Sequence, residues 1–435
     1  MAWVEEFIES IRPYVRVRLT DNVVIRMPNE AFKVNRSGAR ALHYLLEGGR
    51  VDALARGSGN GEVVRQLESF FTDLSRVLGG GVCDDYSSPA LHRTRFALGY
   101  IELPILSEVA LTWRCNLRCR FCYAACRHVS ETPVQAELDT AAMERVLEII
   151  KFDAEVPSVS FTGGEPLLRP DLPDLIRYAH TLGMRVNLIT NGTLIDPAMA
   201  TLLKKQGLAS AQVSIESPDP GIHDHVVGQR GAHAASVAGL RALQNAGVHV
   251  HPHTTICRPN LDTVTMLASF ARSLGMTRFS ANLVIPTGRG LDPDLAVAYR
   301  DIAELLPRIT SAAREEGARF MWYSPTPACL FNPVQHGLGN KGCAACEGLL
   351  SIDPAGQVLP CSSWREPLGS LLEEGFHAVW STSRARHIRA KREAHQGCHE
   401  CEDFALCQGA CPLYFQANDY AEIEPSLTCT TRNAP

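Results

Sequence analysis

Cysteine is the residue that most restricts what this chain can become. Fifteen occur in 435 residues, and they are grouped: Cys115, Cys119 and Cys122 form Cys-x3-Cys-x2-Cys, and eight more lie from Cys343 to Cys429. No basic stretch leads into an apolar N-terminal run, and no run of about 18 apolar residues appears, so a cytoplasmic location is expected. Thiols stay reduced there, and an odd, clustered set then speaks for metal ligation over disulfides. A net charge of -5 provides no basic field for wrapping nucleic acid. Neither nucleic acid nor membrane is expected as a partner.

The chain is too long for one ordinary core. Residues 15–34 read as short alternating strands around the turn-prone Thr20-Asp21-Asn22 and Pro28-Asn29. Two helical patterns follow, one opened by Asn35-Arg36-Ser37 and carrying Ala41, Leu42, Leu45 and Leu46, the other carrying Val63, Val64, Leu67, Phe70, Phe71 and Leu74. With Gly79-Gly80-Gly81 as a hinge, residues 1–90 make a small α+β unit of winged-helix type. From 105 to 320, strand candidates at 109–113, 158–161, 186–190, 212–215, 248–256 and 279–285 alternate with helical periodicity. The expectation is an α/β fold, a partial (β/α)6 barrel of TIM type with ligands at the strands' C-terminal ends. Residues 325–435 are rich in Cys, Gly and Pro, poor in periodicity, and need metal staples to hold a shape.

The cysteine triad falls in a loop directly after the first barrel strand. Three thiolates can hold three irons of a cubane and leave the fourth iron free for a ligand, whereas a zinc knuckle or three packed thiols is the plainer reading. With Phe121 before its last cysteine, CNLRCRFC resembles the CxxxCxΦC motif of the radical S-adenosylmethionine (SAM) superfamily. That resemblance implies a catalytic 4Fe–4S cluster, SAM chelated on its open iron, an electron donor such as ferredoxin or flavodoxin, and a 5′-deoxyadenosyl radical that takes hydrogen from substrate. It further implies that Gly163, Gly164 and Glu165 bind the methionyl amine, that Thr190-Asn191-Gly192 turns beneath the cofactor, that Ser214 and Glu216 serve the ribose and carboxylate, and that Arg230 pairs with the SAM carboxylate. A helix-capping Ser and a surface-paired Arg are the alternatives for those last positions.

Further on, Cys346-x9-Gly356-x4-Cys361 and Cys398-x2-Cys401-x5-Cys407-x3-Cys411, followed by Cys429, resemble the SPASM domain. The resemblance implies two auxiliary iron–sulfur clusters, the first on Cys343, Cys346, Cys361 and Cys411, the second on Cys398, Cys401, Cys407 and Cys429. Cys343 lies only three residues before Cys346, so Cys329 is an alternative fourth ligand of the first. Cys83 and Cys257 read as packed thiols, and Cys126 as a packed or redox-active one.

The N-terminal stretch AFKVNRSGARALHYLLEGG resembles the RiPP recognition element, which implies a precursor peptide whose leader adds as a strand to the sheet edge. All three parts together imply a peptide maturase that installs a crosslink or similar modification. The alternatives are maturation of a cofactor, metabolite or protein residue without a leader, and a non-catalytic DNA-binding redox sensor. No substrate base is evident; His223, His225, His251 and His253 are near strand ends.

Overall fold

The computed structural model describes residues 2–28, 30–56, 61–79, 101–129 and 137–425; Cys83 and Cys429 lie outside them. The N-terminal unit opens with a helix, α1 (Ala2–Ile11), ahead of an antiparallel meander of β1 (Val15–Arg18), β2 (Val23–Arg26) and β3 (Glu30–Lys33). Helices α2 (Arg36–Leu46), α3 (Val51–Arg56) and α4 (Gly61–Leu78) follow. Asn35 caps α2 by accepting from the Gly38 N–H, which is why the helix begins there. α1 escapes the sequence reading although Val4, Ile8 and Ile11 recur at helical spacing; with Leu42, Leu45, Phe70, Phe71 and Leu74 they make this unit's own core.

A buried ion pair fastens the unit to the rest. Arg18 grips Asp21 with two bonds of 2.8 Å and donates to the carbonyls of Leu103 (2.8 Å) and Pro104 (2.6 Å), while Asp21 accepts from the Glu102 N–H at 3.1 Å. Val23 and Ile25 pack on Ile101 beside it.

The main sheet begins with β4 (Leu106–Ala110), and a two-residue pairing of β5 (Arg114–Cys115) with β6 (Arg127–His128) closes the loop after it. Then come β7 (Ser158–Thr162), β8 (Arg185–Thr190), β9 (Leu208–Ser214), β10 (His249–Ile256), β11 (Arg278–Leu283), β12 (Arg319–Trp322), β13 (Leu349–Ile352), β14 (Gln357–Leu359) and β15 (Gly369–Ser370). The ten strands run in the order β12-β11-β10-β9-β8-β7-β4-β13-β14-β15, parallel from β12 to β13. Within the parallel array the six expected strands are therefore joined by one more on each flank, and β14 and β15 follow antiparallel beyond β13. β13 comes from the cysteine-rich region, four residues too short to show a period. β12 and β13 end the parallel array without pairing with each other, so among the described residues the wall stays open between them.

Crossover helices α5 (Thr140–Phe152), α6 (Leu172–Thr181), α7 (Pro197–Lys205), α8 (Pro220–Val227), α9 (Ala232–Asn245), α10 (Leu267–Ser273) and α11 (Tyr299–Glu315) connect the strands. Aspartates 139, 196 and 219 cap α5, α7 and α8, ending the strand-to-helix loops at defined points. Val159, Phe161, Val186, Leu188, Ala211 and Val213 join the apolar core shared with these helices. Their alternating neighbours form a polar inner face: Asn187 bonds Ser160 (3.2 Å) and Ser210 (2.8 Å), and His253 bonds Ser280 and Asn282, both at 2.8 Å. A barrel meant only to be stable fills with branched apolar side chains. This one is lined by hydrogen-bonded polar side chains instead. Among the described residues no helix is long and apolar enough to cross a membrane.

The N-terminal unit meets the barrel at the strands' N-terminal ends, where Ser158 at the start of β7 donates to the Pro28 carbonyl at 3.3 Å. Asp21→Ala leaves the Arg18 guanidinium buried without its anion, and the expected loss is about 3 kcal/mol or more in urea unfolding. A change below about 0.5 kcal/mol would show that the pair does not hold the unit in place.

Candidate functional site

β4 delivers the chain into the triad loop at the opposite, C-terminal end of the barrel. Amide groups are turned toward the sulfurs: the Leu117 N–H meets Cys115 Sγ at 3.4 Å, the Cys126 N–H meets Cys122 Sγ at 3.4 Å, and the Asn191 side-chain amide lies 3.9 Å from Cys115 Sγ. Burial pushes the Cys115 thiol up to about 12 and Cys119 well above its usual value. Cys122 is drawn down to about 6, above all by its hydrogen bond with the Cys126 thiol, which is driven up in turn.

Arg289 holds this loop from across the barrel, 170 residues from Cys119. Its side chain donates to the carbonyls of Cys119 (2.9 Å) and Cys126 (3.0 Å), and its backbone N–H to the Cys122 carbonyl (2.9 Å). Gly288 makes the approach possible: it has φ +59°, and a Cβ there would stand 2.3 Å from the Tyr123 carbonyl. Phe121 is half-buried, its carbonyl facing Gly290. Sequence reading missed Arg289 because nothing in PTGRG announces a partner so far away.

The glycines after β7 are demanded by the same crowding. The Gly164 N–H donates to Thr112 O (2.7 Å), the Glu165 N–H to Arg114 O (2.8 Å), and a Cβ on Gly164 would lie 2.0 Å from that second carbonyl. Gly163 has φ +134°. Glu165 is fully buried and accepts from Thr190 Oγ1 (2.8 Å), the Asn191 N–H (2.9 Å) and the Leu167 N–H (3.2 Å). Burial raises its carboxyl to about 7. Glu165 thus ties the Gly-Gly turn to Thr190-Asn191-Gly192, and Asn191 passes the connection on to Asn116 (2.9 Å) inside the triad loop. A carboxylate has about four acceptor positions, so Glu165 keeps one for a ligand.

Glu216 is buried too, raised to about 8 by desolvation, and accepts from the Thr255 N–H at 2.7 Å. Its charge reaches Cys119, and its backbone N–H donates to His223 Nδ1 at 3.0 Å. Ser214 is half-buried at the end of β9, opposite His253. Arg230 is exposed in the turn between α8 and α9, which leans on the triad loop where Gly228 meets Arg118. Phe121, Gly163, Gly164, Glu165 and Glu216 thus adjoin the triad loop; Ser214 and Arg230 make no described contact with it. His225 bonds Arg120 on the surface (2.9 Å), and His251 and His253 line the inner face.

The lumen holds one further group that the sequence reading passed over. Glu108 sits on the inner face of β4, between Ser160 of β7 and Ser351 of β13, hydrogen-bonded to Ser362 next to Cys361. Burial raises its carboxyl above the usual range. Tyr123, beside Cys122, lies within reach of its charge and is hydrogen-bonded to Thr162. Among the described residues the Ser351 hydroxyl and His251 Nε2 are buried without a partner, as polar atoms facing a ligand would be.

The C-terminal cysteines fall into two groups. Cys343, Cys346, Cys361 and Cys411 are mutual electrostatic neighbours through Cys343. Arg389 donates to the Cys346 carbonyl (2.7 Å), and Lys391, paired with Glu347 at 2.9 Å, holds the Cys343 carbonyl. Cys398, Cys401 and Cys407 line a second pocket. Cys329 joins this second group, not the first. Cys257 is a fully buried thiol at the end of β10. Among the described residues no three metal-binding side chains converge closely enough for a single ion. The thiols surround spaces, as ligands of a cluster's separate corners do, and soft sulfur donors with N–H groups on them suit iron–sulfur centres at all three places.

The radical SAM superfamily profile matches residues 109–271, and that of the iron–sulfur cluster-binding SPASM domain residues 343–402. The chain is 30% identical to an AdoMet-dependent heme synthase of Methanosarcina barkeri over 74% of this chain and 95% of the relative. It is 28% identical to a PqqA peptide cyclase of Streptomyces rochei over 73% and 87%. In structure it resembles Streptococcus suis SuiB bound to precursor peptide SuiA, with a TM-score of 0.69 over 94% of this chain and 96% of that one at 17% identity. The chain accordingly belongs to the radical SAM superfamily, as an iron–sulfur enzyme that uses SAM and carries auxiliary clusters in a SPASM domain.

Proposed function

We propose that this enzyme matures a ribosomally made precursor peptide. The observation that carries the reading is the N-terminal antiparallel sheet, whose β3, among the described residues, has a ladder on one side only and is half-buried along all its residues. An extended peptide adds to such an edge through main-chain hydrogen bonds. Glu30 at the start of β3 is an electrostatic neighbour of Lys341 in the segment that spans the wall's opening. A leader held there would hand its core peptide to the gap between β12 and β13. The curated relatives span about three-quarters of this chain, whereas the SuiB fold, seen with its precursor peptide, extends over 94% of it. The higher identity to heme synthases supports a second reading, in which a heme precursor is the substrate.

Cys115, Cys119 and Cys122 would hold the cluster, which with SAM bound would supply a 5′-deoxyadenosyl radical to abstract hydrogen from substrate. Glu165, Glu216 and Ser214 position SAM, with Gly163 and Gly164 admitting close backbone approach, and Arg289 keeps the loop from shifting. Glu108 takes the proton that a substrate radical must shed when it is oxidised; the auxiliary clusters, held by their cysteines, would supply the acceptor for the electron. Its seat between Tyr123 and Ser362 lies between the triad and the first auxiliary group. Burial favours its protonated form, so it accepts a proton only once ionised, and turnover should rise with pH through its raised titration.

Three outcomes follow. Replacing Cys115, Cys119 and Cys122 together by Ala should abolish 5′-deoxyadenosine formation while roughly eight irons remain bound, as two cubanes require; cleavage at an unchanged rate would place the catalytic cluster elsewhere. Glu108→Gln should lower product formation by about 100-fold or more while SAM is still cleaved without product; equal rates of product would remove Glu108 from the reaction. With a precursor encoded beside the gene, kcat/KM should fall by at least about tenfold when the leader is omitted; turnover of a heme precursor and none of the peptide would establish the second reading.

A further inference from the structure

We propose that the floor of the barrel, built from Arg185, Arg278, Arg319 and Lys341, is a carboxylate-binding site for an acidic peptide segment. On the maturase reading, from which the identity of the occupant follows, that segment joins the leader to the residues to be modified. Strand alternation sets the three arginine side chains. Arg185 precedes by two the inner-face Asn187 of β8, and Arg278 precedes by two Ser280 of β11, which bonds His253. Arg319 opens β12 four residues before Tyr323, which bonds Ser280 and stacks on His253. The arginines therefore stand on the inner face at the N-terminal ends of their strands, the end that the N-terminal unit meets. Lys341, half-buried in the segment across the wall's opening, completes the group within the field of Arg319.

These cations are gathered without counter-charges. Arg278 and Arg319 are register neighbours on adjacent parallel strands, which run about 4.8 Å apart, and like charges side by side repel. Burial alone acts on half-buried Arg185, drawing it below its usual value. Burial and the charge of Arg319 bring Lys341 down to about 8; the acid in its reach is Glu30, which Arg26 already holds. Among the described residues none of these cations is in an ion pair, and beside Arg278 the buried His251 Nε2 lacks a partner as well. In a chain of net charge -5 the floor is thus a local positive field, and a cleft lined by one sign concentrates the opposite ion. Guanidinium forks bind carboxylates through paired hydrogen bonds. An antiparallel strand added to β3 would leave it beside Glu30, next to Lys341, so the chain that follows runs over Arg319 and Arg278 toward the lumen.

The test is fluorescence anisotropy of labelled hexaglutamate and hexaglutamine on the full chain, its clusters loaded anaerobically. Hexaglutamate should bind, more weakly as salt is raised, and hexaglutamine should not. Arg278→Gln/Arg319→Gln should weaken hexaglutamate binding by at least about tenfold and Lys341→Gln by a smaller factor. Arg145→Gln, on the exposed side of α5, should leave it unchanged. Absence of binding to the parent overturns the proposal, as does equal binding by the parent and the double variant, or capture of a porphyrin tetracarboxylate in preference to hexaglutamate. Should the double variant not fold, Lys341→Gln and Arg185→Gln decide by the same measure. An enzyme that modifies a precursor but ignores hexaglutamate refutes the site and keeps the maturase reading. Floor-dependent hexaglutamate binding in an enzyme that modifies no peptide keeps the site and refutes that reading.

Discussion

Thiols packed as deeply as most of these hold their protons until a metal centre displaces them. Burial above all lifts Cys115, Cys346, Cys398 and Cys411 to about 12, so loading must expel protons from these four, whereas Cys122 is already drawn toward its thiolate. The backbone is set for the loaded state. Gln408, Gly409 and Ala410 are three successive left-handed residues between Cys407 of one group and Cys411 of the other, and Cys346 and Ala125 share that conformation. Each non-glycine costs about 1–2 kcal/mol there, small beside a structural metal site worth on the order of 10 kcal/mol.

The barrel's strands and its triad were legible because both are local. Period-2 alternation marked β8 and β9, and three cysteines within one loop need no partner from elsewhere. What stayed hidden is what acts across the sheet. Arg289 meets the triad from a turn after β11, Glu108 looks like any polar strand residue until β13 and Ser362 arrive beside it, and Cys329 precedes its group by 69 residues, counted to Cys398. Spacing motifs capture residues that follow one another; a neighbour delivered from the far end of a barrel leaves no spacing. The first strand also sits earlier than periodicity placed it, since residues 111–113 leave the ladder to carry the glycine turn after β7.

Polarity inside the barrel has the same origin as the opening in its wall. With β12 and β13 unpaired, the interior cannot be sealed by apolar layers, and serine, asparagine and histidine side chains that bond one another line it instead. Acid, phenol and thiol groups, those of Glu108, Tyr123 and Cys122, lie near one another in that interior.

The few residues before β4 are gripped from two directions. Arg18 and Asp21 hold residues 102–104 from the N-terminal unit, and the Trp380 indole donates to the Glu102 carbonyl from the cysteine-rich region. That clasped stretch continues without a break into a strand roughly 16 Å long, at whose other tip the iron-binding loop starts. Both appendages and the radical source are thus threaded on a single stiff spoke, and the alignment of the three is inherited from one piece of backbone.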